Sequence, residues 1–499
     1  MKEGDIHGSV TFERSMLSSP QGTSLGTSDM ARQGRSCGPL SMRTLLLAAI
    51  FSLFVLIFHY NSDSSVFIPS VLTHDYRNDF NSRRLQSMPK QDDQTIQTQE
   101  RLHHNFQMGG YMFKETGRTY FVNADITSCL THSFSPYVER EAQKRFVDPA
   151  RDNIYYANSP AVLWYKGEMV LVTRIWLDRE IYEPNNDWPS NHFADNYLYT
   201  QKFDHHLKPA NNGSIIGIPS PKQWWVGDGP IEPRLFKVKN RLFVTFNAAM
   251  AFKQQYYMDF TIMWDLERNV PIIPKITGGT PMANATEPND MPRDKHWMAL
   301  IQNDELFFVH NLDPLRIMKC TLTGYCDFVH NEKNKDGFIF EHSISHLRGG
   351  TPFELYEHPY YISVAHSTMY KSDSHHRYYT AHIVVLRVDP YRIVYVSDDL
   401  KVHPQVYLDA PMVRPLYIDD GFIFPVGLIL ENKDHMTVGV HVNDFSSVLL
   451  RFKGMKKLME TIIKLDKGQK AKAGPPVGYL HQHIHDTQQN LTHIKFVHR

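Results

Sequence analysis

From about residue 111 to 455 the apolar positions fall in short runs: "AVLWYKGEMVLVTRIW", "RLFKVKNRLFVTFNAA", "ELFFVHNL", "YYISVAHS", "HIVVLRV", "GFIFPVGLIL" and "MTVGVHV". Each run is rich in Val, Ile, Tyr and Phe and is bounded by Gly, Asn, Asp or Pro, which is the pattern of β-strands and not of helices. "LWYKGEMVLV" is predicted to turn at Lys166-Gly167, and "LFKVKNRLFV" at Lys239-Asn240, each as a tight hairpin. About 345 residues of such hairpins exceed one sandwich. They predict an all-β body, a five-bladed β-propeller of four-stranded blades over residues 111–460. No fixed period runs through it, so WD and kelch repeats are excluded. A helical pattern is confined to "SVLLRFKGMKKLMETIIKL".

Outside this body the pattern changes. Residues 1–43 are rich in Ser, Gly and Arg and read as a disordered tail. Thr44–Tyr60 is a run of 17 residues without a charge, near the short limit for crossing a bilayer as a helix. Arg32, Arg35 and Arg43 precede it and no basic residue follows until Arg77. That asymmetry predicts a signal anchor with a cytoplasmic N-terminus, a single-pass type II protein with its body in the lumen. The run starts too late, and lacks the small-residue site, of a cleaved signal peptide. Its shortness suits the thinner Golgi or endoplasmic reticulum membrane. The polar, Gln-rich residues 61–110 read as a stem and residues 461–499 as a C-terminal tail.

Composition then narrows the function. Lys and Arg total 53 and Asp and Glu 53, so no basic footprint for nucleic acid exists. The 25 Tyr, 29 Phe and 7 Trp suit aromatic strands, and also the stacking of sugar rings. Sequons at Asn212, Asn284 and Asn490 agree with a lumenal, glycosylated body. Cys320 and Cys326 flank "TLTGY" and are expected to form a local disulfide; Cys129 is left without an obvious partner. No Cys-x-x-Cys pair occurs. His481, His483 and His485 read as chance histidines in a flexible tail, and no D-x-D stands in a nucleotide-binding α/β context, so no metal is expected.

Polar residues interrupt the strand pattern in a definite order. "NSPAVLWYKGEMVLVTRIW" begins at Asn158 and includes Arg174. "GDGPIEPRLF" holds Asp228, Glu232 and Arg234 on a turn stiffened by Gly and Pro. "DKHWMAL" puts Lys295, His296 and Trp297 before a strand. "RGGTPFELYEHPYYISVAHS" carries Arg348 and His366, and "VGVHVND" closes on Asn443 and Asp444.

In that order these motifs resemble the β-mannoside phosphorylases of glycoside hydrolase family 130 and the β-1,2-mannosyltransferases that share their five-bladed fold. "G-P-I-E-P-R-L-F" resembles the family's G-V-E-D-P-R and its strand, "D-K-H-W-M-A" its E-K-N-W-x-P, and "FIFPVGLIL…VGVHVND" its V-F-P-x-G…Y-G-A-A-D. The sequence departs from the family where Glu232 replaces its catalytic Asp and His296 its Asn. The resemblance implies Glu232 as the catalytic carboxylate, with Asp228 in reserve. It implies Arg174, Arg234, Lys295, Arg348 and His366 as holders of a phosphate-bearing donor. Trp297 is then expected to stack on a sugar, with Asn158, His296 and Asp444 also at the substrate. The expected activity is inverting transfer of a β-linked sugar, most simply mannose, from a sugar nucleotide or sugar phosphate to a glycan acceptor, with no cofactor. A β-glycoside phosphorylase or hydrolase, with Asp178 or Asp195 activating water, and a non-catalytic glycan-binding propeller are the competing readings.

Overall fold

The computed structural model describes residues 100–113, 119–145, 153–179, 195–218, 229–252, 256–277, 293–332, 347–370, 377–410 and 421–468. Contacts divide the chain into Met1–Arg84 and Leu85–Arg499, and every described residue belongs to the second unit.

The body opens with β1 (Arg101–Met108), β2 (Gly110–Phe113), β3 (Thr119–Phe121), β4 (Ala124–Ser133) and helix α1 (Ser135–Arg145). Four antiparallel strands follow as one sheet, β5 (Asn153–Tyr165), β6 (Glu168–Arg179), β7 (Asp195–Phe203) and β8 (Ser214–Ile216). The next sheet holds β9 (Ile231–Val238), β10 (Arg241–Phe252), β11 (Tyr256–Asp265) and β12 (Val270–Ile272). Between β13 (Lys275–Ile276) and β15 (Met298–Gln302) lies the short β14 (Arg293–Asp294), which pairs with β11. β15 starts a third sheet with β16 (Glu305–Leu312), β17 (Leu315–Cys320) and β18 (Tyr325–Asn331), edged by β13. The fourth contains β19 (Leu347–Arg348), β20 (Glu354–Glu357), β21 (Tyr360–Tyr370), β22 (Arg377–Val388) and β23 (Tyr391–Asp399), and takes β2 and β3 at its edge. After α2 (Pro404–Leu408) come β24 (Ile423–Leu430), β25 (His435–Val442), β26 (Ser446–Lys453) and α3 (Met455–Lys467). β26 pairs with β4, so the fifth sheet, β1-β4-β26-β25-β24, is made from both ends of the body.

Turn chemistry sets the hairpins where the sequence places them. Lys166 and Gly167 have φ 52° and 83°, and Lys239 and Asn240 have φ 49° and 55°. Two successive left-handed residues match the right-handed twist of the flanking strands.

Each gap between sheets has its own apolar filling. Leu163, Val172 and Leu198 of β5–β7 meet Leu235, Val244 and Trp264. Phe236, Phe243 and Met263 meet Trp297, Phe308 and Met318, and Val309 and Ile317 meet Ala365, Val384 and Ile393. Val364 and Ile383 then pack with Leu428, Val438 and Leu450, and Ile429 and Leu449 with Val162, Leu171 and α1. The series of sheets thus returns to its start in a propeller-like, all-β architecture. Strands of neighbouring sheets meet at the inner side: β24 touches β5, β9, β21 and β22, and β9 touches β5 and β15.

Four expectations change. β1 and the start of β2 occupy residues 101–110, assigned above to the stem, because Leu102 and Phe106 pack on the core beside β4. Ser446–Lys453, expected to be helical, is strand β26, and the helix begins only after Gly454, whose φ is 111°. That helix ends at Lys467, beyond the boundary at 460, because Ile462, Ile463 and Asp466 are buried on its inner face. α1, with Val138 and Ala142 buried one turn apart, was not anticipated. Cys320 and Cys326 form the expected disulfide, and Asn212 is exposed. Thr44–Tyr60, Asn284, Asn490 and the three tail histidines lie outside the described residues. Among the described residues no helix is long and apolar enough to cross a membrane.

Candidate active site

The inner strands and the turns before them carry the polar residues singled out by the sequence. Asn158 lies on β5, Glu232 and Arg234 on β9, Lys295 and His296 just before β15, Arg348 on β19 and Phe424 on β24. At these points the backbone leaves the extended region. Ser159, Glu232, His296, Asn443 and Asp444 have φ of 56°, 53°, 72°, 54° and 66°, where non-glycine residues are strained. Such strain collects where a fold aims side chains at a ligand. Gly349 is required here by close approach, since a Cβ would sit 1.9 Å from the His296 carbonyl oxygen.

Glu232 is the hub. Its Oε2 lies 2.7 Å from His296 Nε2 and accepts from Asn247 Nδ2 at 2.9 Å, while Lys295 Nζ reaches Oε1 at 3.4 Å. Arg234 Nη2 stands 3.8 Å from the same carboxylate. Arg234 is itself braced: Nη1 donates to the Glu232 carbonyl at 2.9 Å and Nε to that of Gly350. Burial alone would raise the Glu232 carboxyl, but the surrounding His296, Lys295 and Arg234 hold it well below the usual carboxylate range. Burial drives His296 down to about 3, so its imidazole is neutral at pH 7 and meets Glu232 as a polar contact. Lys295 and Arg234 are the permanent cations beside Glu232, and His296 adds to their effect where it is protonated.

His366 is fully buried. It sits 4.8 Å from the His296 ring and 4.2 Å from Phe424, and burial pushes its pKa well below the ordinary histidine value. Among the described residues neither of its ring nitrogens has a hydrogen-bond partner. His441 also stacks on Phe424, at 4.7 Å, and its Nε2 approaches Asp444 Oδ1 at 3.2 Å. Asn158 Nδ2 donates to the Asp444 carbonyl at 2.5 Å, so Asn158 holds the loop that carries Asp444. Arg174 donates to Asn196 Oδ1 at 2.5 Å and lies over Trp176, which stacks on Phe445.

The structure thus brings Glu232, Arg234, Lys295, His296 and His366 into one cluster. Asn158 and Asp444 lie beside it through the Phe424–His441 stack. Arg348 pairs in register with His366. Trp297 is the exception. Its ring is 3 % exposed and packs at 5.6 Å on Phe308 and 5.3 Å on His310, because adjacent residues entering a strand face opposite sides. It fills the core and has no face for a sugar. Asp228 and the side chains of Asp178 and Asp195 lie outside the described residues. Sequence reasoning missed Asn247 and His441, whose only signal is a polar side chain inside an otherwise apolar strand.

The histidines set a pH dependence. Burial pushes His296 down to about 3 in the folded chain, whereas an exposed histidine of the unfolded chain titrates near 6.5. Between these the unfolded chain binds a proton that the folded chain refuses, so stability falls as pH drops from 6.5 toward 3. Urea midpoints should decline over that window, and more shallowly in His296→Gln. An unchanged slope would mean that His296 titrates normally in the fold.

No protein-family model matches this chain and no curated protein matches its sequence. Among solved structures it is similar to a β-1,2-mannobiose phosphorylase from Listeria innocua, at 14 % identity and TM-score 0.41, over 64 % of this chain and 95 % of that one. It is also similar to a structure from the glycoside hydrolase family 130 mannoside phosphorylases and hydrolases acting on β-1,2-mannosidic linkages of Candida mannan (13 %, TM-score 0.40, 60 % and 84 %). A third is a GDP-Man-dependent mannosyltransferase from Leishmania mexicana (9 %, TM-score 0.36, 64 % and 95 %). Such identities and scores assign neither activity nor substrate to this chain.

Proposed function

We propose that the body is a five-bladed propeller acting as an inverting glycosyltransferase, building a β-linked sugar, mannose in the first instance, onto a glycan acceptor. The observation that carries this reading is the buried Glu232 carboxylate, with Lys295 Nζ at 3.4 Å and Arg234 Nη2 at 3.8 Å, surroundings that favour its ionised form. A hydrolase or phosphorylase needs its carboxyl protonated to expel the leaving sugar. Here the group enters the cycle as the anion, the form that accepts a proton. Glu232 takes the proton of the acceptor hydroxyl as that oxygen attacks the anomeric carbon. The bond from that carbon to the donor phosphate breaks, and its electron pair leaves on the phosphate. Lys295, Arg174 and Arg348 would meet the donor phosphates through charge-assisted hydrogen bonds. As Lys295 turns to phosphate, Glu232 loses part of its stabilising charge and becomes a stronger base. Asp444 would bind a sugar hydroxyl. On this reading Thr44–Tyr60 anchors the protein as a type II protein of the Golgi or endoplasmic reticulum membrane, where sugar nucleotides and glycan acceptors meet.

The test is to incubate the full chain, in detergent, with GDP-mannose and other sugar nucleotides and with β-mannoside or N-glycan acceptors. Transfer with inversion is expected. Cleavage of β-mannosides dependent on inorganic phosphate would replace this reading by a phosphorylase, and glycan binding without turnover by a lectin-like propeller.

A further inference from the structure

Where the chain enters the body, β1 pairs with β4 through a bulge. Arg101 stands opposite Leu130 and His104 opposite Ser128, so Leu102 and His103 together face Cys129. Leu102 has φ 52°. A bulge of this kind bends the strand and re-aims the side chain beside it. The result is that donor atoms of Glu100, His103 and Cys129, residues distant in sequence from the active-site cluster, all lie within 4.8 Å of one another.

We propose that Glu100, His103 and Cys129 form a binding site for a borderline-soft divalent cation such as Zn2+. A carboxylate oxygen, an imidazole nitrogen and a thiolate are the donor types that this ion takes, at about 2.0 to 2.3 Å. Donors around a tetrahedral ion are then roughly 3.3 to 3.7 Å apart, so the set must close by about 1 Å. Two of its members can do so. The side chains of Glu100 and His103 are 33 % and 53 % exposed, whereas Cys129 is held in the sheet and 5 % exposed. Three protein donors leave one position for water.

The surroundings fit. Arg451, opposite Cys129 in the register, donates to Glu100 Oε1 at 2.5 Å, leaving Oε2 on the His103 side. The same guanidinium meets Glu431 Oε2 at 2.6 Å, and Glu431 Oε1 accepts from Thr437 at 2.5 Å. This chain of contacts orients Glu100 as outer partners orient metal ligands. It also balances charge. Cys129 is a neutral thiol donating to the Arg451 carbonyl at 3.7 Å; once its proton has left, the thiolate, Glu100 and Glu431 carry three negative charges against one on Arg451, which the bound divalent cation neutralises. On binding, the thiol proton leaves to solvent and sulfur bonds the metal. The ion would fasten β1 to β4 and, through Arg451, to β26.

The full chain, stripped with a chelator, would be titrated with Co2+ while its absorbance is followed. One equivalent should produce the near-ultraviolet thiolate-to-cobalt band, and Zn2+ should displace it. Cys129→Ser should abolish the band, and the exposed His103→Ala should weaken binding at least ~10-fold, in line with loss of a ligand or its support. Zn2+ should raise the melting temperature of the parent chain and not that of Cys129→Ser. No band, or a band of undiminished affinity in either variant, would overturn the site and leave a buried thiol beside a Glu100–Arg451 ion pair.

Discussion

Glu232→Gln is expected to lower glycosyl transfer by ~10²–10⁴, the usual contribution of a positioned base, while donor binding persists. The amide keeps the shape of the carboxylate and can still face Asn247 and His296, but it accepts no proton. It also removes the anion that Lys295 and Arg234 now face, so donor phosphate should bind the variant at least as well as the parent. The two readouts therefore separate. Turnover within a factor of a few of the parent would eliminate Glu232 as base and turn attention to Asp228. Loss of donor binding together with turnover would indicate collapse of the cluster and not loss of a proton acceptor.

Asp466→Ala is expected to destabilise the fold by about 3–5 kcal/mol, the cost of breaking a buried ion pair. Asp466 is fully buried on α3 and accepts from Tyr360 at 2.8 Å, from Arg387 at 3.1 Å and from Arg392. Without it, Arg392, only 2 % exposed, keeps its charge and loses the carboxylate that its Nη2 meets. The same substitution made in an Arg392→Met background should cost less, because that buried charge is then gone. Urea unfolding of the four proteins measures the coupling. A change below about 1 kcal/mol for Asp466→Ala alone would show that α3 is held by its apolar face, Leu458, Met459 and Ile462, and not by the ion network.

How far the molecule could be read from its sequence depends on which forces are local. The hairpins at Lys166-Gly167 and Lys239-Asn240 were legible because turn chemistry and strand alternation act over a few residues. β1 was not. In "RLHHNFQM" only alternate residues face the core, and the polar ones outnumber them, so the segment reads as linker until β4 is placed beside it. "SVLLRFK" was read as helix because three consecutive apolar residues suit either element; the break at Gly454 was the signal against it. The order of polar interruptions brought out Glu232, Lys295, His296 and His366. Asn247 stayed hidden, for its role depends on the register of β10 against β9, which no local pattern states. Trp297 was misplaced for the related reason that a residue entering a strand can face either way, and packing against Phe308 decides.

The sheet built from both ends of the body has a consequence for biosynthesis. β4 ends at Ser133 and its partner β26 begins at Ser446, so roughly 310 residues must be made before the pair can form. At ribosomal speeds of about 5–20 residues per second that delay is of the order of 15–60 s. Throughout it β4 offers an open edge to any neighbouring strand. The nascent chain is thus expected to depend on chaperones until its last strands emerge, and truncation before β26 should yield aggregates instead of a smaller folded protein.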